Sequence, residues 1–297
     1  MKIYDCFMYF DEDLLLDLRL NALNNYVSKF VITEATYTHN GNQKKLRFDI
    51  NKFKKFKDKI EYIIVDTQPP NILRINNNDN AEEKGRKLIL NGYIRDNYQR
   101  NKLADGINNA AENDIIIVSD LDEIPNLTNI NFNNIKNKII QFKQKMFYYK
   151  LNLHYPKFYW FGSKACKKKY LTSPQWLRNI KSKKYSRFRF DVIFNKKKYS
   201  DIFYVLDGGW HFTCIRTPED LEYKLLNFAH HYDFEQSGLD SEALKKLILE
   251  KKIMYDHNLG QENIDRWGGK GKLEKVSTSE LPEHVNLNIN KYKDWLD

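Results

Sequence analysis

Residues 114–125 read DIIIVSDLDEIP, a short apolar run that stops on an acidic turn. Asp114 to Ser119, with four consecutive β-branched residues at its centre, has the pattern of a strand buried on both faces. Such a strand needs helices on either side, and the preceding sequence supplies that alternation. Ile3 to Tyr9, Lys29 to Ala35 and Ile60 to Val65 have strand character. Between them, Leu14, Leu15, Leu18 and Ala22 follow helical spacing, with Asp11 or Asp13 as cap. Thr67 to Asn80, with Pro69-Pro70 and an Asn run, reads as a loop, and Glu82 to Asn113 as one helix or two. The predicted class is α/β, a mostly parallel central sheet flanked by helices.

The second half is less regular and more aromatic. Ile139 to Leu151 reads as one or two strands, and Arg187 to Phe194 and Phe203 to Leu206 as others. Phe158 to Phe161 and Trp176 are expected among loop residues. Thr217-Pro218-Glu219-Asp220 is a helix start, with a Thr cap, Pro in the first turn and acids at the positive end of the dipole. That helix is expected to run to about His231, and another from about Ser241 to Tyr255, before a loop at Trp267 to Lys272. No internal repeat divides the 297 residues, so one domain is predicted. Its 1–125 half would bind nucleotide and its 126–297 half would face the acceptor.

Composition narrows the class. Hydrophobic residues at 41% and aromatics at 14% supply a packed core and exclude disorder. No purely apolar run approaches the ~20 residues of a membrane span. Asp5, Asp11, Glu12 and Asp13 interrupt any signal-peptide core. Cys6, Cys166 and Cys214 are too few and too scattered for a disulfide framework, so a soluble, cytoplasmic protein is expected. The net charge of +10 lies in scattered Lys clusters without any nucleic-acid-binding motif. No nucleic acid is expected as partner, while peripheral contact with an acidic membrane surface stays open.

Three acids crowd into Asp120-Leu121-Asp122-Glu123 at the carboxyl end of a buried strand, where open α/β sheets bind ligands. Their repulsion is relieved by a divalent cation, and oxygen ligands suit Mn²⁺ or Mg²⁺ bridging to phosphates. The bland alternative is a solvated acidic turn. Two metal-dependent classes use such a site. A sugar-phosphate phosphohydrolase of the haloacid dehalogenase type would use Asp120 as nucleophile, but Ile124 at its fifth position and the mid-chain location argue against it. A GT-A-type nucleotide-sugar transferase places D-x-D after several strands. A non-catalytic module binding carbohydrate or nucleic acid is the third alternative.

Three blocks make the pattern specific: Glu12 to Asp49, Asp114 to Pro125, and Gly209 to Phe234 (GWHFTCIRTPEDLEYKLLNFAHHYDF). With the ending LPEHVNLNINKYKDWL, this ordered set resembles glycosyltransferase family 17, leaving roughly residues 150–205 outside the likeness. The resemblance implies a GT-A-like fold and an inverting transfer from a UDP-sugar, UDP-GlcNAc first, to a hydroxyl of a glycan acceptor. It implies a divalent cofactor, Mn²⁺ before Mg²⁺. Asp122 would ligate the metal, Asp120 would contact the metal, its water or the ribose, and His211 would be a further ligand. Glu34, at the end of the second strand, would face the nucleoside. Arg95, Arg100 and Lys224 would offset diphosphate charge. Asp233 and Glu123 are the candidate general bases, with His230, His231 and Glu235 as rivals. Phe147 to Tyr149 and Tyr155 to Phe161 would stack on acceptor sugars or pack in the core.

Overall fold

The computed structural model describes residues 1–183, 185, 195, 197–228, 231–257, 267–269 and 271–297. Strands β1 (Ile3–Met8), β2 (Lys29–Ala35), β3 (Ile60–Val65) and β4 (Ile115–Val118) pair in parallel, in the order β4-β1-β2-β3. Their alternation covers both faces. Phe7, Ile115 and Ile117 enter a core shared with Leu15, Leu16 and Leu20 of helix α1 (Asp13–Leu23). Tyr4, Cys6, Ile116 and Val118 face the opposite way, onto Leu103 and Ile107. Burying each such side chain contributes about 1.5–3 kcal/mol.

The remaining strands are β5 (Glu123–Pro125), β6 (Ile139–Phe142), β7 (Gln144–Tyr148), β8 (Leu153–Trp160), β9 (Lys164–Lys167), β10 (Ile202–Val205), β11 (Gly209–Thr213) and β12 (Glu274–Lys275). They complete a seven-stranded sheet, β10-β6-β9-β4-β1-β2-β3, and a five-stranded sheet, β12-β8-β7-β11-β5. Both are mixed: four of the six ladders in the seven-stranded sheet are parallel, whereas the five-stranded sheet has one parallel ladder of four. β9 runs antiparallel to β4 and to β6. The α/β class stands. The second sheet carries its own core, in which Met146, Tyr148 and Tyr155 meet Leu221 and Leu225 of the Pro218–Asn227 helix and Leu244 of the Ser241–Leu249 helix.

Other local expectations changed. Neither Asp11 nor Asp13 caps α1: Glu12 occupies that position and turns its carboxylate back to the amides of Phe10 and Asp11, each at 3.1 Å. Phe158 and Trp160 belong to β8, and Trp176 to helix α3 (Pro174–Asn179), because tertiary pairing overrides a weak local pattern. The helix from Pro218 ends at Asn227, and a separate one spans His231–Ser237. The strand expected at 187–194 lies outside the described residues. All three cysteines are free and buried. Among the described residues no helix is long and apolar enough to cross a membrane.

One buried ion pair fixes the strand ends. Arg19 on α1 donates to Asp5 on β1 through Nε (2.7 Å) and Nη2 (2.6 Å), and both side chains are fully buried. Its Nη1 donates to the carbonyls of Asp120, Leu121 and Glu123 at 3.0, 3.1 and 2.8 Å. The acidic turn is therefore braced from behind by a cation. Asp5→Ala should destabilise the fold by roughly 3–5 kcal/mol, since it strands a buried guanidinium. Urea unfolding measures this, and a loss below about 1 kcal/mol would remove the pair from that role.

Candidate active site

The acidic turn opens on a cavity of about 590 Å³ at the carboxyl ends of β1 and β4. Arg100, Asp120, Asp122, Glu123, His211, Lys224 and Asp233 all line it. The sequence reading separated these residues by more than a hundred positions, and the fold brings them together. Glu34 and Arg95 are not among the lining residues. Glu34 is buried beneath the loop after β2, where it pairs with Lys44 and accepts from the amides of Arg47 (2.8 Å) and Phe48 (3.0 Å) and from Tyr62 (2.8 Å). Arg95, on helix α2 (Ala81–Asn101), donates to Gln68 and to the His39 carbonyl. Both side chains shape the cavity's walls from outside.

Asp120 sits between two guanidinium groups. Arg100 on α2 donates to its Oδ1 at 2.9 Å and Arg178 on α3 to its Oδ2 at 2.7 Å. Burial would raise its pKa, but Arg178 and then Arg100 outweigh that and hold the carboxyl well below its ordinary range. Glu123 is fully buried. Its Oε1 accepts from Arg178 (2.6 Å) and from the Trp160 indole, and its Oε2 accepts from the Asp120 amide (2.8 Å). Both oxygens of this candidate base are thus engaged in holding the turn. Gly162 permits that approach, since a Cβ there would fall on the Glu123 carboxylate.

β5 and β11 are antiparallel and set His211 opposite Glu123. The same ladder puts His211 Nε2 3.7 Å from Asp122 Oδ1. His211 Nδ1 is buried and has no hydrogen-bond partner among the described residues. Gly209, at φ +108°, allows the strand to start against the Ile124 carbonyl, where any Cβ would collide. Trp160 stacks on His211 with centroids 5.2 Å apart and packs on His257 at 5.4 Å. Burial, and then the charge of His211, lower the His257 pKa to about 4, so it is a neutral ring at physiological pH.

Opposite lies a second charged cluster. Lys224 Nζ is 3.0 Å from Glu12 Oε1, and Arg216 joins Glu12 and Asp11. Burial would raise the Glu12 pKa, but Lys224 and Arg216 bring it down to about 2. Asp233, on the His231–Ser237 helix, is half-buried at the cavity wall, while its rival Glu235 is exposed and outside it. His231 is buried, with Nδ1 3.0 Å from the Phe228 carbonyl. His230 lies outside the described residues.

Two partners of Mn²⁺ or Mg²⁺ chemistry thus converge, Asp122 and His211. Among the described residues no three His, Cys, Asp or Glu side chains are grouped to hold a metal alone. The sequence model of glycosyltransferase family 17 matches residues 1–296. The chain belongs to glycosyltransferase family 17. The β-1,4-mannosyl-glycoprotein 4-β-N-acetylglucosaminyltransferases of Homo sapiens and Rattus norvegicus are each 31% identical over 119 residues, 37% of this chain and 19% of theirs. The Mus musculus protein of that name is 30% identical over the same span. The match therefore spans about a fifth of those relatives' length. Family membership removes the phosphohydrolase alternative.

In this family-17 chain the sequence reading missed Arg19 and Arg178. Arg19 had a readable signal, a cation at helical spacing within an apolar stripe, facing an Asp inside an apolar strand. Arg178 had none, because its partners lie 58 and 55 residues away.

Proposed function

We propose that this family-17 chain is an inverting, metal-dependent glycosyltransferase with a GT-A-like fold. It moves a sugar, N-acetylglucosamine first, from a UDP-sugar to a hydroxyl of a glycan acceptor. The observation that carries this is the convergence of Asp122 and His211, flanked by Arg100, Arg178 and Lys224, in one cavity with Asp233 on its wall. Two protein donors suit a hard cation that takes its remaining ligands from diphosphate oxygens and water. When bound, Mn²⁺ or Mg²⁺ supplies charge stabilisation for the departing nucleotide.

The chain's own groups do the rest. Asp122 Oδ1 and the Nε2 of His211 would hold the cation. Asp120, kept anionic by Arg100 and Arg178, would accept from a ribose hydroxyl or a metal-bound water. Lys224 would lie against the diphosphate, charged because Glu12 outweighs the effect of its burial. Asp233 would take the acceptor hydroxyl's proton as the new bond forms and the bond to UDP breaks. Glu123 is set aside as base, since both its oxygens are engaged. The half-buried rings of Trp160, Tyr255 and His257 would receive the sugars.

Nucleotide release from a panel of UDP-, GDP- and CMP-sugars, with Mn²⁺, Mg²⁺ or chelator, tests the reading. The expected result is UDP release from UDP-GlcNAc that chelator abolishes. An absence of metal-dependent nucleotide binding and of release from every donor would overturn it.

A further inference from the structure

Lys164 is a buried cation that the proposed chemistry does not use. It stands on β9, 5% exposed, and its Nζ donates to the carbonyls of Arg178 (2.6 Å) and Ile180 (2.5 Å). Those carbonyls close α3, a helix of six residues whose last turn has few internal hydrogen bonds of its own. The same Arg178 whose carbonyl Lys164 holds extends its guanidinium to Asp120 and Glu123, and to the Gly162 carbonyl. We propose that Lys164 is a positioning residue for the active site: by pinning the last turn of α3, it keeps Arg178 seated between Asp120 and Glu123.

The lysine is a poor choice for packing alone. Burial and the charge of Arg178, with a smaller contribution from Arg100, lower its pKa to about 7, against the opposing pull of Glu123 and Asp120. A methionine of similar reach would fill the space without that desolvation cost. The ammonium has three N–H donors and the neutral amine two, so both forms can serve both carbonyls and the hold persists through neutral pH. What methionine cannot do is fix the turn that aims Arg178.

The binding arm of the test rests on the nucleotide-sugar reading, and the spectroscopic arm does not. The Trp160 indole donates to Glu123 Oε1, the oxygen that Arg178 also reaches, so its N–H resonance reports the seating of that guanidinium. In ¹H–¹⁵N spectra of the whole chain, assigned with Trp160→Phe, Lys164→Met should displace this resonance in a variant that still folds, with a lowered melting temperature because both carbonyls lose their donor. Affinity for UDP-GlcNAc with Mn²⁺ should fall about tenfold or more, the loss typical of a supporting partner. An unmoved indole resonance in a folded variant overturns the proposal. So does a lowered melting temperature with resonance and affinity both unchanged, which is the signature of a purely structural lysine. Should Lys164→Met not fold, Lys164→Gln, whose side chain is shorter and uncharged, must shift the resonance in the same way or the proposal fails. If the wild type binds no nucleotide sugar, it is the functional reading that has failed, and the indole arm alone decides.

Discussion

Asp122→Ala should lower metal-dependent UDP release by about 100-fold or more, because even outer partners of a metal ligand are worth ~10–100-fold. The Asp122 carboxylate faces the cavity 3.7 Å from His211 Nε2, and among the described residues no guanidinium pairs with it. Its removal should therefore weaken the cation site while leaving the braced turn intact. A titration of activity against Mn²⁺ measures the effect, and the midpoint should move to higher concentration. Asp120→Asn should behave differently: it leaves Arg100 and Arg178 each with one charged partner fewer, so donor affinity should fall while the Mn²⁺ midpoint holds. An Asp122→Ala enzyme with wild-type Mn²⁺ dependence would separate this carboxylate from the metal.

Asp233→Asn carries the second large expectation, a fall in kcat of about 10²–10⁴-fold, the usual worth of a positioned general base. Donor affinity should remain within about twofold, because the change removes a proton acceptor and leaves ground-state binding alone. Equilibrium binding of UDP-GlcNAc and single-turnover transfer, measured on one preparation, separate the two. Glu235→Gln should be silent, since Glu235 is exposed and outside the cavity. Near-normal turnover in Asp233→Asn would move the base elsewhere on the wall.

What was legible in the sequence was local. Periodicity located β2 and β3 to the residue, and β1 and β4 to within one, because each is an apolar run bounded by polar positions. The Thr217 cap was also readable, and its Oγ1 accepts from the Asp220 amide at 3.2 Å. The acidic turn stood out because like charges cluster there against the grain of the strand before it. What escaped was every role decided by a distant partner. Glu34 ends its strand as expected, yet a loop folds over it and supplies three donors, with a fourth from Tyr62 on β3. Trp160 reads as a loop aromatic until β7 pairs with it. Arg178 and Lys164 lie where the family likeness is weakest, and only the closure of α3 against β9 gives them meaning. A local pattern shows that a group is buried or charged; it does not show which group, tens of residues away, will meet it.

The pairing of β5 with β11 has a bearing on how the chain folds. Glu123 and His211 face each other across a ladder whose strands are separated by most of the second sheet's sequence, and Arg19 reaches the same turn from 104 residues away. Contacts of such long range carry a loop-closure cost that must be met before they stabilise anything, and they slow folding. The candidate cavity is therefore also the seam that joins the first half of the chain to the second. A sugar nucleotide bridging that seam would act as a removable cross-link, adding about 2.7 kcal/mol to stability at a hundred times its Kd. Neither half alone carries the cavity, so it forms only once the two have closed on each other.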